Sequence, residues 1–137
     1  MNSPAQSSLP RLEEIVGSAN VLTDPTELTS WTVDRVQPWA VVQPTEAAQV
    51  AEIVRCAAAE GLAMIPCGGR TKLVIGLPPE RYDIALDLSR MNRVLAYDPE
   101  DLTLGVEPGT RIEDLRRTLR ERTATTPSVA RGSGSQP

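Results

Sequence analysis

Apolar residues fall along the chain in short phased blocks, and the phase of each block predicts an element. Leu9, Leu12, Ile15 and Val16 recur at helical spacing, from about Pro10 to a stop at Gly17. Residues 18–38 carry turn signals at Asp24-Pro25 and Gln37-Pro38 but no dominant period, so they are expected to be mostly irregular. Ala40-Val-Val-Gln43 reads as a short strand ended by Pro44, with Thr45 placed to cap the helix that follows. That helix, Glu46 to Glu60, gathers Ala47, Val50, Ile53, Val54, Ala57 and Ala58 on one side, and Gly61 stands just past its end. Leu62-Ala-Met-Ile65 is too short for a helix and lies between Gly61 and Pro66, which makes it a buried strand.

Strand, helix and strand in this order predict a right-handed crossover with the two strands parallel. Farther on, Pro78-Pro79-Glu80 breaks the chain, and Ile84-Ala-Leu-Asp-Leu88 alternates as another strand. Arg93-Val-Leu-Ala-Tyr97 and Leu102-Thr-Leu-Gly-Val106 flank Asp98-Pro99-Glu100-Asp101, where the proline suits the second position of a type I hairpin turn. Thr110-Arg-Ile-Glu113 fits a capping box opening a helix with Ile112, Leu115 and Leu119 on its stripe, running to about Arg122. The order of elements is a βαβ unit followed by a β-hairpin and a helix, which the resemblance described below implies is of the α+β class. Three regions are expected: an N-terminal helix and linker over 1–27, a domain over 28–122, which the resemblance described below implies is partial, and a disordered tail over 123–137 with almost nothing to bury.

Composition narrows the function more than the fold. With 137 residues the chain has room for one moderate core, and with no Phe that core must come from Val, Ile, Leu, Ala and Met. Fourteen Lys and Arg against eighteen Asp and Glu leave a net charge of −4, which argues against a nucleic-acid or anionic-membrane surface but leaves open a small anion held by one loop. No stretch is apolar for long enough to cross a membrane as a helix. Cys56 and Cys67 make no disulfide framework, and the opening Met1-Asn-Ser-Pro-Ala-Gln-Ser-Ser lacks a signal-like pattern, so a reducing, cytoplasmic setting is expected. Histidine is absent, which excludes Ser-His and Cys-His nucleophile systems and His-bound metals within this polypeptide.

The candidate chemistry lies in Met64-Ile-Pro-Cys-Gly-Gly-Arg-Thr-Lys-Leu-Val-Ile-Gly76, where an apolar strand runs into two glycines, a hydroxyl and a cation. Such a turn can wrap backbone N–H groups around a phosphate at the carboxyl edge of a sheet, or it can be an ordinary turn after a buried strand. Gly-Gly-Arg-Thr-Lys has Thr and Lys in the wrong order for a Walker motif, and there is no Rossmann Gly-x-Gly-x-x-Gly. Cys67 reads as a small residue in a tight loop, Cys56 as helix packing, and Trp31 and Trp39 as core residues. Asp87, Asp98, Glu100 and Asp101 read as strand-end and turn residues rather than catalytic carboxylates.

Several spaced blocks together carry a resemblance. Val41-Val-Gln-Pro44 with its helix, Pro66-Cys-Gly-Gly-Arg-Thr-Lys72 with Gly76, Leu86-Asp-Leu-Ser-Arg-Met-Asn-Arg-Val94 and Asp101-Leu-Thr-Leu-Gly-Val-Glu-Pro-Gly109 resemble the FAD-binding domain of the vanillyl-alcohol oxidase and p-cresol methylhydroxylase (PCMH) type. Within that family the wording is most similar to the flavin-binding subunit of bacterial glycolate oxidase. The resemblance covers roughly residues 28–120 and implies the N-terminal α/β subdomain of a PCMH-type FAD-binding domain, with FAD as cofactor. It also implies oxidation of a 2-hydroxy acid and other subunits of a multi-subunit oxidase as partners; the substrate face would come from the absent part, so no catalytic residue is named.

Carried over by position, the resemblance makes Cys67, Gly68, Gly69, Arg70, Thr71, Lys72 and Gly76 the cofactor-binding residues, with Gly68 and Gly69 supplying positive φ and close approach to the pyrophosphate. Two departures stand out. Arg70 occupies a place where the family continues its glycines, and the family's second glycine-rich segment does not follow the last helix, as though the chain were truncated or read out of frame near residue 122. Half a site offers few contacts to offset immobilising a dinucleotide, so weak FAD binding or none is expected of these residues by themselves. A non-catalytic nucleotide-binding or subunit-interaction module, or an inactive truncated fragment, are the alternative readings.

Overall fold

The computed structural model describes residues 4–125, with side chains from Ser7 to Arg122. The predicted tail falls mostly on residues 126–137 and so lies outside the described residues.

The first helix, α1, spans Pro4–Val16 with Pro10 inside it, longer at its start than the apolar stripe predicts. Proline there removes one helical hydrogen bond. Packing compensates: Leu12 is fully buried and Val16 nearly so, in the core that α1 shares with the helix α3, Ala47–Glu60. The segment expected to be irregular is instead ordered. Ser18–Asn20 forms a 3-10 turn, Val21–Leu22 a short strand β1, and Pro25–Leu28 a short helix α2 followed by a 3-10 turn at Thr29–Trp31. Asp24-Pro25 is thus a helix start rather than a loop signal: the Asp24 carboxylate accepts from the amides of Thr26 at 2.7 Å and Glu27 at 3.4 Å, and Pro25 opens the helix.

The main sheet has the order β1-β2-β4-β3, with β2 at Ala40–Val42, β3 at Met64–Cys67 and β4 at Ile84–Asp87. β2 and β3 run parallel as predicted, but they do not touch; β4 lies between them, parallel to both, while β1 pairs antiparallel with β2. β3 also begins and ends two residues later than the apolar run suggests, so Pro66 and Cys67 are part of the strand. Alternation sorts the side chains by face. Ala40, Val42, Ile84 and Leu86 pack toward α1 and α3, whereas Val41, Ala85, Ile65 and Cys67 pack toward Trp31, Val33 and Tyr82. Covered on both faces, β4 is buried at every position, which is why its sequence is nearly continuous in apolar residues.

α3 ends as predicted, with Gly61 left-handed at φ 63° and its amide bonded back to the last turn. Its start differs: Glu46 takes the capping position without a side-chain bond, and Gln49 Oε1 accepts from the Thr45 amide at 2.8 Å. Thr45 is therefore held by the helix instead of capping it.

The hairpin pairs β5, Val94–Asp98, with β6, Thr103–Val106, around the predicted Asp98-Pro99 turn. The Asp98 carboxylate accepts from the amides of Glu100 and Asp101, and Leu102 closes the turn at φ 55°. The last helix, α4, is Ile112–Thr125. The capping box does not form: Thr110 precedes the flanking position, its amide donates to Glu107 O at 3.1 Å, and its hydroxyl is buried without a partner among the described residues. The turn that docks Gly109 onto the sheet takes precedence over the local cap.

Candidate functional site

β2, β4 and β3 are mutually parallel, so their carboxyl ends share one edge of the sheet, the edge at which open α/β sheets commonly bind ligands. Two segments leave it side by side, the glycine turn from β3 and Leu88-Ser89-Arg90-Met91 from β4, held together by Leu88 N donating to Cys67 O at 2.8 Å. Asp87 organises the second exit. Its buried carboxylate accepts from Gln43 Nε2 at 2.8 Å and from the Ser89 amide at 3.0 Å.

The base of the hairpin then folds onto this edge. Glu107 N donates to Arg93 O at 2.9 Å and Gly109 N to Met91 O at 2.8 Å, which brings Gly109 hard against the β4 exit. A Cβ at Gly109 would stand 2.0 Å from Leu88 O and 2.8 Å from Ser89 Cα, so only glycine fits. The Arg93 guanidinium clamps the same corner through Glu107, with contacts at 2.6 and 3.1 Å, and these hydrogen bonds hold the Glu107 carboxyl below its usual range.

The predicted residues Cys67, Gly68, Gly69, Arg70, Thr71 and Lys72 line one recess of about 240 Å³, together with Pro66 and Leu73. Gly76, at φ 131°, is not among the residues lining it. Among the described residues, the amides of Gly68, Gly69, Arg70, Thr71 and Lys72 donate to no protein acceptor. A run of uncommitted N–H groups in a turn is what an anion requires. Positive φ falls on Arg70, at 57°, and not on Gly68 or Gly69. That conformation costs a residue with a side chain about 1–2 kcal/mol. Arg70 recovers part of it by stacking 4.2 Å from the centroid of the Trp31 ring and donating to Ser30 Oγ at 3.1 Å.

Cys67, read from the sequence as a small residue in a tight loop, lies instead in a strand. It is the last residue of β3, its thiol is buried in the second core 4.0 Å from the Tyr82 hydroxyl, and burial pushes both groups' pKa values up. It packs as a thiol and its carbonyl is committed to Leu88.

A second cleft of about 280 Å³ shares Gly68, Gly69 and Arg70 and is closed by Asp87, Ser89, Asn92, Gly109, Arg111 and Asp114. Periodicity gave no reason to single out Ser89, Asn92 or Arg111; the readable signal was the block Leu86–Val94 and the Pro108-Gly109 pair. Both acids of this cleft are engaged, Asp87 by Gln43 and Ser89 and Asp114 by Arg117. The side chains of Arg111 and Lys72 have no hydrogen-bond or ion-pair partner among the described residues, so free positive charge borders the turn in a chain that is negative overall. The larger depressions are elsewhere, along α4 from Ile112 to Glu121 and between α1 and α3 around Arg55 and Cys56, and neither is lined by residues 66–73.

A protein-family model described as an FAD binding domain matches residues 38–135. The chain is 31% identical over 131 residues to D-2-hydroxyglutarate dehydrogenase of Xanthomonas citri pv. viticola, covering 90% of this chain and 28% of that protein. It is 32% identical over 114 residues to D-2-hydroxyglutarate dehydrogenase of Stutzerimonas stutzeri, covering 80% of this chain and 24% of that protein. Among solved structures, p-cresol methylhydroxylase with substrate bound superposes with a TM-score of 0.77 at 20% identity, over 90% of this chain and 26% of that one. The chain thus spans about a quarter of the length of the relatives it matches.

Proposed function

Since the chain belongs to the FAD binding domain family, we propose that it supplies the pyrophosphate-holding part of the FAD site of a flavin-dependent dehydrogenase or oxidase acting on a 2-hydroxy acid. The observation that carries this reading is the set of uncommitted amides from Gly68 to Lys72, in a turn that leaves the carboxyl edge of the parallel strands and lines one recess, with Gly68, Gly69 and Arg70 also lining the cleft closed by Gly109 and Arg111. The orphaned Thr110 hydroxyl and the unpaired cations Lys72 and Arg111 also fit a polyanionic cofactor.

In this reading the amides of Gly68, Gly69, Arg70, Thr71 and Lys72 and the Thr71 hydroxyl donate to the two phosphates, Lys72 adds a point charge, and Cys67 anchors the turn from the core. Gly76 serves the exit of the turn. When bound, FAD supplies the redox chemistry, accepting the electrons released as an alcohol carbon becomes a carbonyl. The chain's own contribution is to bind and orient that cofactor. The relatives' names favour D-2-hydroxyglutarate as the substrate type, with glycolate, suggested by the sequence resemblance, a smaller member of the same class. Both cysteines are free and no described helix is long and apolar enough to cross a membrane, which supports a reducing, cytoplasmic setting within this proposal. Exposed Val74, Ile75, Leu77, Leu95 and Leu102 are surfaces that further protein, in the same polypeptide or another subunit, would cover.

The test is competition at the site. FAD is titrated into the chain while flavin fluorescence is followed, with ADP, inorganic pyrophosphate and riboflavin as competitors. ADP and pyrophosphate are expected to displace FAD and riboflavin is not. Displacement by riboflavin with no effect of pyrophosphate would overturn the assignment of the turn.

A further inference from the structure

Arg70 combines features that have no common structural purpose. It holds the left-handed position of the turn, where glycine would sit without strain. Its guanidinium lies 4.2 Å from the centroid of Trp31, and Nη1 donates to Ser30 Oγ at 3.1 Å, yet the side chain remains exposed. Trp31 is a fixed platform: it is 4% exposed and packed in the second core with Val33, Cys67 and Tyr82. Arg70 also lines both the recess formed by the turn and the adjoining cleft. A planar cation is thus held by two groups outside the turn, beside amides that have no partner.

We propose that Arg70 is a preset side-chain clamp for the diphosphate, and that Trp31 and Ser30 are positioning residues that hold its guanidinium over the turn. The proposal rests on the reading of the turn as a diphosphate site. An arginine free in solvent gives up its rotamer freedom when it captures a phosphate, and one already stacked has given it up in advance. The guanidinium has five N–H donors, and the one on Ser30 leaves enough for a two-pronged contact with phosphate oxygens. Arg70 thereby offsets with its side chain what its backbone loses by not being glycine.

The experiment is an NMR titration of the 137-residue chain with inorganic pyrophosphate, following the amides of Gly68 and Gly69 and the indole N–H of Trp31, in the wild type and in Arg70→Gly, Arg70→Lys and Ser30→Ala. In the wild type both sets of resonances are expected to shift saturably. Arg70→Gly, relieved of left-handed strain, keeps the dispersed spectrum of the folded chain and binds about tenfold more weakly. Arg70→Lys loses nearly as much, because a point charge neither stacks nor forks. Ser30→Ala, at an exposed site, weakens binding about two- to threefold. Wild-type affinity in both Arg70 variants, with Gly68 and Gly69 still shifting, would overturn the clamp and leave the turn standing. No shift at Gly68 and Gly69 in the wild type would overturn both.

Discussion

Gly109 is pressed against Leu88 so closely that a methyl group on its Cα would lie 2.0 Å from the Leu88 carbonyl oxygen. The contact joins the hairpin to the exit of β4 and closes the cleft beside the glycine turn. Because both neighbours are backbone, neither can give way as a flexible side chain would. Gly109→Ala is expected to destabilise the chain by about 2–3 kcal/mol, read as a lower urea midpoint. An unchanged midpoint would mean that the hairpin base is not docked as described.

Thr110 gives the opposite expectation. Its buried hydroxyl has no partner among the described residues, and a buried, unsatisfied polar group is unfavourable. Thr110→Val should stabilise the ligand-free chain by about 1 kcal/mol. If the hydroxyl serves the cofactor, the same substitution should weaken FAD binding. Thermal melts with and without FAD separate the two effects.

The Arg93–Glu107 pair sets a pH dependence. Glu107 is held below its ordinary pKa of 4.5, first by the Arg93 side chain and then by the Arg93 amide. A carboxylate with a depressed folded-state pKa contributes stability that is fully present above its ordinary value and is lost as pH falls below 4.5 toward the folded value. Glu107→Gln should therefore lower stability at neutral pH and flatten its decline in acid. Urea midpoints measured from pH 7 down to about pH 3 test both signs.

Where structure was set by local phase, the sequence was readable. The stripe of α3, its Gly61 stop and the Asp98-Pro99 hairpin could all be read, since each depends on residues within a few positions of one another. What depended on distant contacts was not. Nothing local shows that β4 enters between β2 and β3, or that two residues at Val21–Leu22 form an edge strand. Thr110 and Glu113 have the spacing of a capping box, and the docking of Gly109 onto Leu88 overrides it. For the site, the order of glycines, hydroxyl and cation located the turn. Its partners Ser89, Asn92 and Arg111 arrive through the sheet and hairpin, so no spacing within the turn reveals them.

Gly69 offers a way to test, without disturbing the fold, whether the turn from Cys67 to Lys72 receives the diphosphate of FAD. A Cβ there meets nothing within 4 Å and the backbone is not left-handed, so Gly69→Glu should leave the urea midpoint nearly unchanged. The added carboxylate would stand in the recess lined by Cys67 to Lys72 and repel phosphate oxygens. The decisive measurement is FAD affinity of the Gly69→Glu chain beside the wild type. Weak but measurable binding by the wild type and a further loss of about tenfold or more in Gly69→Glu, with stability retained, are expected; no binding by the folded wild type, or equal affinity in the two folded proteins, would overturn the assignment of the turn.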